Sequence, residues 1–321
     1  MKWLPVAGRL LFSVGLLAGL AWRFDAGMLG TRLATMRPSL VLLALCLSVV
    51  QIAVLAWRWS FTARRLGVEL PFRAAWREYY LSIFLNQVLP GGVLGDVTRA
   101  WRQARSQLRV REQGGPAVRA VVFERVSAQA VMTTIAVVSL LALPVTVGPA
   151  PGVMVGAGVL ALAIVVSIVV WTRRESSRGS LFGRVLTEMG EAHFSPAAFA
   201  IQFGCAILVV SSYLVTYVVA ARAVGVETPL LVLLPLIAPV LMSMLIPITV
   251  AGWGLREGTA AVLWGAVGLT VADGVVVSMA YGLLGLLSSL PGAVVLAFGA
   301  RRSPAADFSA DPDRKGHRGP A

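Results

Sequence analysis

An acid and a base three residues apart, Asp96 and Arg99, close the segment 86–99, NQVLPGGVLGDVTR. Helical neighbours at that spacing can neutralise one another, and an arginine carries the planar fork that grips a phosphate through two parallel hydrogen bonds. A second segment, 247–257, PITVAGWGLRE, ends alike: Arg256 adjoins Glu257, with Trp253 three residues before it. A third pair, Glu124 and Arg125, sits in VVFERVSAQA. Ionisable residues at membrane depth are functional candidates, because burying one costs about 2.5–3.5 kcal/mol on insertion scales. Two readings stay open for the hairpin charges. They can be counter-charges that stabilise hairpin ends. Alternatively, each broken helix aims its N-terminus and glycine amides into a cavity that attracts an anion. Arg99 and Arg256 then hold a lipid phosphate, and Asn86 and Gln87 either touch the headgroup or cap backbone freed by Pro90. Adjacent helical residues point in different directions, so Glu124 and Arg125 either both reach the cytoplasmic interface or Glu124 faces the cavity. Asp273 is expected at an interface.

The elements that must position these groups are broken ones. Pro90, Gly91, Gly92 and Gly95 interrupt the first segment, and Pro247, Gly252 and Gly254 the second. Such backbone leaves amides and carbonyls unpaired, which is tolerated at membrane depth only inside protein or along a wet cavity. Pro90, Gly95 and Arg99 recur as Pro247, Gly252 and Arg256 at the same offsets, 157 residues later. Paired, interrupted apolar segments in corresponding halves point to a transporter's binding site.

Composition sets the class. Hydrophobic residues make up 57% of the 321 and charged ones 13%, with mean hydropathy +0.80, against about 25% charged in soluble domains. This is a polytopic all-α membrane protein. The net charge of +13 and pI near 11.2 fit cytoplasmic loops facing anionic lipid; no nucleic-acid motif is present. Cys46 and Cys205 read as small hydrophobes within apolar runs. His193 and His317 are isolated, so no metal site or cofactor is expected. No nucleophile-elbow, Walker or dinucleotide motif stands in its required context.

Full spans are expected at 4–22 (uncleaved), 39–57, 120–143, 150–171, 198–221 and 270–298. Residues 23–37 read as a short polar loop and 172–196 as an amphipathic cytoplasmic linker. The arginine-rich stretches 58–78 and 99–119 flank the broken segment 79–97. Both face the cytoplasm, as positive charges prefer, only if that segment dips in and returns. The broken segment 229–268 then enters from the other face. The expected plan is one membrane domain, 1–300, with inverted pseudo-repeat halves of about 1–145 and 146–300. A disordered basic tail, 301–321, follows, and both termini are cytoplasmic. Eight full spans is the alternative.

Taken together, N-x-x-L-P-G-G-x-x-G-D-x-x-R, the E-R pair and P-x-x-x-x-G-W-G-x-R-E resemble the lysylphosphatidylglycerol synthase transmembrane-region family over roughly 5–300. The same unit forms the membrane half of the multiple peptide resistance factor. The resemblance implies a flippase-like translocase of charged or glycosylated lipids in the inner membrane. Its motif positions fall on Asn86, Pro90, Gly91, Gly92, Gly95, Asp96, Arg99, Glu124, Arg125, Pro247, Gly252, Gly254, Arg256 and Glu257. Gln87 and Trp253 join them as candidate substrate contacts. Two-domain members add a soluble aminoacyl-transfer domain after this unit, whereas this sequence ends at Ala321, so lipid synthesis is not expected of it. The implied partner is a membrane lipid: an anionic phospholipid, an aminoacyl-lipid or a polyprenyl-linked glycolipid. A homo-oligomer, or association with lipid-synthesis enzymes, is a further expectation. The rival readings are a membrane-bound lipid-linked transferase and a non-catalytic scaffold for envelope biosynthesis.

Overall fold

The structure is a computed structural model that describes residues 4–89, 94–111, 115–147, 196–245 and 249–299. Ten α-helices and no strand occur among these residues. The expected span 150–171, the linker 172–196, the tail 301–321, and Pro90, Gly91, Gly92 and Pro247 lie outside them.

Helix α1 (Leu4–Arg23) meets α2 (Ala26–Ala34) at a bend of 98°. The expected polar loop at 23–37 is therefore mostly helix. Asp25, at a φ of 59°, accepts a hydrogen bond from Gly27 N–H and so caps α2, a role short acids fill because they satisfy an orphan amide. Helix α3 (Pro38–Arg65) starts with proline in its first turn, where the missing N–H costs nothing. It extends eight residues beyond the expected span because Arg58, Arg64 and Arg65 continue the helix.

Helix α4 (Phe72–Val88) and helix α5 (Leu94–Arg111) form an antiparallel hairpin. The pairs Asn86–Gly95, Ser82–Asp96 and Glu78–Arg102 step in opposite directions along the two helices. Gly95 makes the close approach feasible, since a Cβ there would overlap the Ser82 carbonyl oxygen. Helix α6 (Gly115–Val147) follows, then α7 (Pro196–Ala223). Helix α8 (Leu230–Met242) ends in the 3₁₀ turn Ser243–Leu245 and packs against α9 (Leu255–Ala266). The last helix is α10 (Val271–Gly299).

Among the described residues three helices are long and apolar enough to cross a membrane: Pro38–Arg65, Ala200–Ala223 and Val271–Phe298. The bent pair Leu10–Arg23 and Ala26–Ala34 adds a fourth if taken as one span, and α6 contributes the shorter apolar stretch Ala128–Leu141. At 1.5 Å per residue α3 measures about 42 Å, against roughly 30 Å of hydrocarbon. By the same rise, α8 reaches about 20 Å and α9 about 18 Å, so neither spans alone.

Moved along the chain by the 157 residues between Pro90 and Pro247, α3 falls on α7, α4 on α8, α5 on α9 and α6 on α10. The packing is reciprocal. The most extensive interfaces are α4 with α10, α6 with α8, and α3 with α7. Helix α4 thus packs on α10 and its counterpart α8 on α6. One apolar core surrounds α7, α8, α9 and α10, including Tyr217, Leu236, Ile237, Trp264 and Val276. A second joins α3, α4 and α5 around Trp59, Tyr79 and Tyr80.

Candidate functional site

The first hairpin and α6 build a four-member charge cluster. Arg99 Nη2 meets Asp96 Oδ1 at 3.2 Å, and its Nη1 meets Glu124 Oε2 at 3.1 Å. Arg125 Nη2 lies 3.2 Å from the other Asp96 oxygen, Oδ2. Ser82 and Asn86 donate to the two Asp96 oxygens, both at 3.2 Å, and the Tyr79 hydroxyl donates to Glu124 Oε1. The guanidinium of Arg99 is sandwiched between Tyr79 and Trp59, 4.1 and 4.5 Å from the ring centroids. Such cation–π contacts gain strength when water is excluded, and only 1% of the Arg99 side chain is exposed. Two cations and two carboxylates balance, as a buried ionic cluster requires.

The second hairpin makes a smaller, tighter pair. Arg256 Nη2 lies 2.5 Å from Glu257 Oε1, and Arg256 Nε donates to Ser278 Oγ of α10 at 3.0 Å. The remaining Glu257 oxygen accepts from Gly254 N–H at 2.7 Å and caps α9. Trp253 and Tyr281 flank the Arg256 guanidinium at 5.1 and 5.5 Å. Gly252 and Gly254 hold φ of 79° and 85°, where a Cβ is strained. A Cβ at Gly252 would also stand 2.8 Å from Met244 Cγ, and one at Gly254 2.6 Å from Leu16. Helix α1 fixes this turn further, as Val250 N–H donates to Ser13 Oγ at 2.8 Å.

Between the two clusters lies a cavity of about 270 Å³, walled by residues of α3 to α10, with Ala251 of the turn before α9. Of the expected site residues, Asn86, Gln87, Asp96, Glu124, Arg125 and Arg256 line it. Arg99 stands behind the wall in its aromatic sandwich, and Glu257 is fully buried. Asn86 is used mainly by the backbone, accepting from Gly95 N–H at 2.8 Å. Glu124 and Arg125 divide as adjacent helical residues do. Glu124 is buried in the cluster, while 47% of the Arg125 side chain stays exposed. Asp273 pairs instead with Arg32 at 2.5 Å, away from the cavity lining.

Sequence reasoning missed the uncharged lining: Ser48 and Gln51 on α3, Gln129 on α6, Tyr213 and Thr216 on α7, and Tyr281 and Ser288 on α10. Its signal was present. Ser48/Gln51 and Tyr213/Thr216 are polar residues three apart on otherwise apolar helices, and that spacing puts them on one face. Also missed was Arg58, fully buried, whose Nε donates to Gln202 Oε1 at 2.6 Å and ties α3 to α7. Among the described residues no group of three His, Cys, Asp or Glu is placed to hold a metal.

The model of the lysylphosphatidylglycerol synthase TM region family matches residues 6–292. The chain belongs to this family. It is a membrane-embedded, multi-pass protein, and the family sets its function in the context of membrane lipids. No curated protein matches the chain.

Proposed function

We propose that the protein is a lipid translocase, moving a phosphate-bearing or glycosylated lipid between the leaflets of the inner membrane. The observation that carries this reading is the cavity: among apolar walls it gathers Asn86, Gln87, Asp96, Glu124, Arg125 and Arg256, between the two broken segments of an otherwise apolar bundle. Ionisable groups within a membrane-spanning bundle are costly and mark a path for polar cargo. The helix correspondence at 157 residues and the reciprocal packing fit two inverted halves, the recurrent plan of alternating-access transporters. In this plan α4–α5 and α8–α9 are re-entrant hairpins entering from opposite faces, and both termini are cytoplasmic. The ends of the first hairpin carry interfacial residues. Phe72 and Trp76 on α4, and Trp101 with Arg105 stacked at 5.2 Å on α5, form an aromatic and basic belt of the kind that sits at headgroup level.

The complete pairing of the hairpin charges also fits a scaffold for lipid or envelope biosynthesis, because paired charges need no cargo. Purified protein in liposomes separates the two readings. A translocase moves labelled lipid inward or outward faster than protein-free vesicles do; a scaffold leaves the rate unchanged. For the topology, cysteines at positions 66 and 106, in a background without Cys46 and Cys205, label from the same side. Labelling from opposite sides replaces the first hairpin with a crossing.

A further inference from the structure

We infer that the cavity selects an anionic lipid whose phosphate carries a polyol or sugar and rejects a cationic aminoacyl-lipid, with Arg125 as the specificity-determining residue. This rests on the translocase reading and adds to it the class of headgroup.

A cationic headgroup needs a carboxylate with an oxygen to spare. Asp96 gives Oδ1 to Arg99 and Ser82, and Oδ2 to Arg125 and Asn86. Glu124 gives its oxygens to Tyr79 and Arg99. Glu257 gives one to Arg256 and the other to the Gly254 amide. Each oxygen of Asp96 and Glu124, the two acids that line the cavity, thus already has a cation or donor of the protein beside it. An ammonium entering here would have to compete with an arginine for its partner.

The cations are not equally engaged. Arg99 and Arg256 are each 1% exposed, whereas Arg125 shows 47% of its side chain and holds Asp96 through a single nitrogen, Nη2. A guanidinium offers five N–H donors in a fixed fork, so Arg125 presents an unused edge to the cavity. The same cavity is lined by Gln51, Gln87, Gln129, Tyr213 and Thr216. These neutral groups donate and accept hydrogen bonds, which suits hydroxyls, and they add no charge. A cavity of about 270 Å³ accommodates a headgroup but not its acyl chains, which stay in the bilayer.

Binding to the full-length protein in detergent tests this without requiring transport. The probes are short-chain phosphatidylinositol, short-chain lysylphosphatidylglycerol and soluble inositol phosphate, titrated by calorimetry. Phosphatidylinositol binds about tenfold or more tightly than lysylphosphatidylglycerol, the scale of one charge-assisted hydrogen bond. Arg125→Gln abolishes that preference, while Gln87→Leu, which leaves every ion pair intact, weakens phosphatidylinositol binding alone. Equal or tighter binding of the lysyl lipid, no binding of either lipid, or unchanged selectivity in Arg125→Gln overturns the inference. Soluble inositol phosphate binding as tightly as the lipid also overturns it, by assigning the site to a soluble anion. Selective binding without translocation removes the proposed function and leaves the selectivity standing. Translocation that favours the lysyl lipid does the reverse.

Discussion

Arg99 and Arg256 occupy corresponding places in the two hairpins, yet the protein holds them by different means. Arg99 is shared between carboxylates on two helices, Asp96 of α5 and Glu124 of α6, and each of these has further donors. Arg256 depends on the adjacent Glu257, whose other oxygen is committed to capping α9. The first arrangement is distributed, and it includes Arg125, which is open to the cavity. The second is closed. Removing one member of a distributed cluster leaves the others partly paired, whereas removing one member of a closed buried pair strands a charge. The motif repeat makes the two arginines look equivalent, and their surroundings give them separate duties.

The largest effect is expected in the closed pair. Arg256→Gln leaves Glu257 buried without its counter-charge and destabilises the protein by about 3–5 kcal/mol, read as lost yield and a lowered unfolding midpoint in detergent. Glu257 has no water to turn to in such a variant, being fully buried, with its other oxygen held by the Gly254 amide. The double variant Arg256→Met, Glu257→Gln removes both charges and keeps an acceptor for Gly254 N–H, so it recovers most of that loss. No recovery would mean that the pair's ionic character is not what holds the turn.

Arg99→Gln comes next, at roughly 1–3 kcal/mol, because Asp96 keeps Arg125 and Asn86 while Glu124 keeps Tyr79. A loss as great as that of Arg256→Gln, in the same unfolding assay, would erase the contrast between distributed and closed clusters. Gly95→Ala is comparable, at roughly 1–3 kcal/mol, since its Cβ runs into the Ser82 carbonyl oxygen and must spread α4 from α5. Unchanged unfolding would show that this hairpin is looser than its hydrogen bonds imply. Arg125→Gln has the smallest effect on folding, within about 0.5 kcal/mol, because the side chain is half exposed and Asp96 retains Arg99.

The sequence showed the breaks better than the continuities. Clustered proline and glycine marked the two broken segments and their separation of 157 residues in the sequence, although Pro235 and Pro239, read as further breaks, lie inside the continuous helix α8. Charges at i and i+3 likewise announced the Asp96–Arg99 pair. Helical continuation through polar residues was less visible. Arg58 reads as the start of a basic loop until α7 supplies Gln202 as its partner, and 23–37 reads as a loop until the Asp25 cap closes α2. Such partners lie far off in sequence, and no local pattern names them. The roles of Arg99 and Arg125 were hidden for the same reason. Which arginine is enclosed and which is open depends on Trp59, Tyr79 and Glu124, brought together only by packing.

The central claim, that the open arginine handles the lipid while the enclosed ones hold the fold, meets its most direct test in translocation by Arg125→Gln. The initial rate of movement of labelled phosphatidylinositol across proteoliposome membranes is measured per folded protein, beside the unaltered chain. The expected result is a well-folded protein whose rate falls at least about tenfold, the loss of one charge-assisted contact to the phosphate. A folded Arg125→Gln protein that translocates at the full rate would contradict the account.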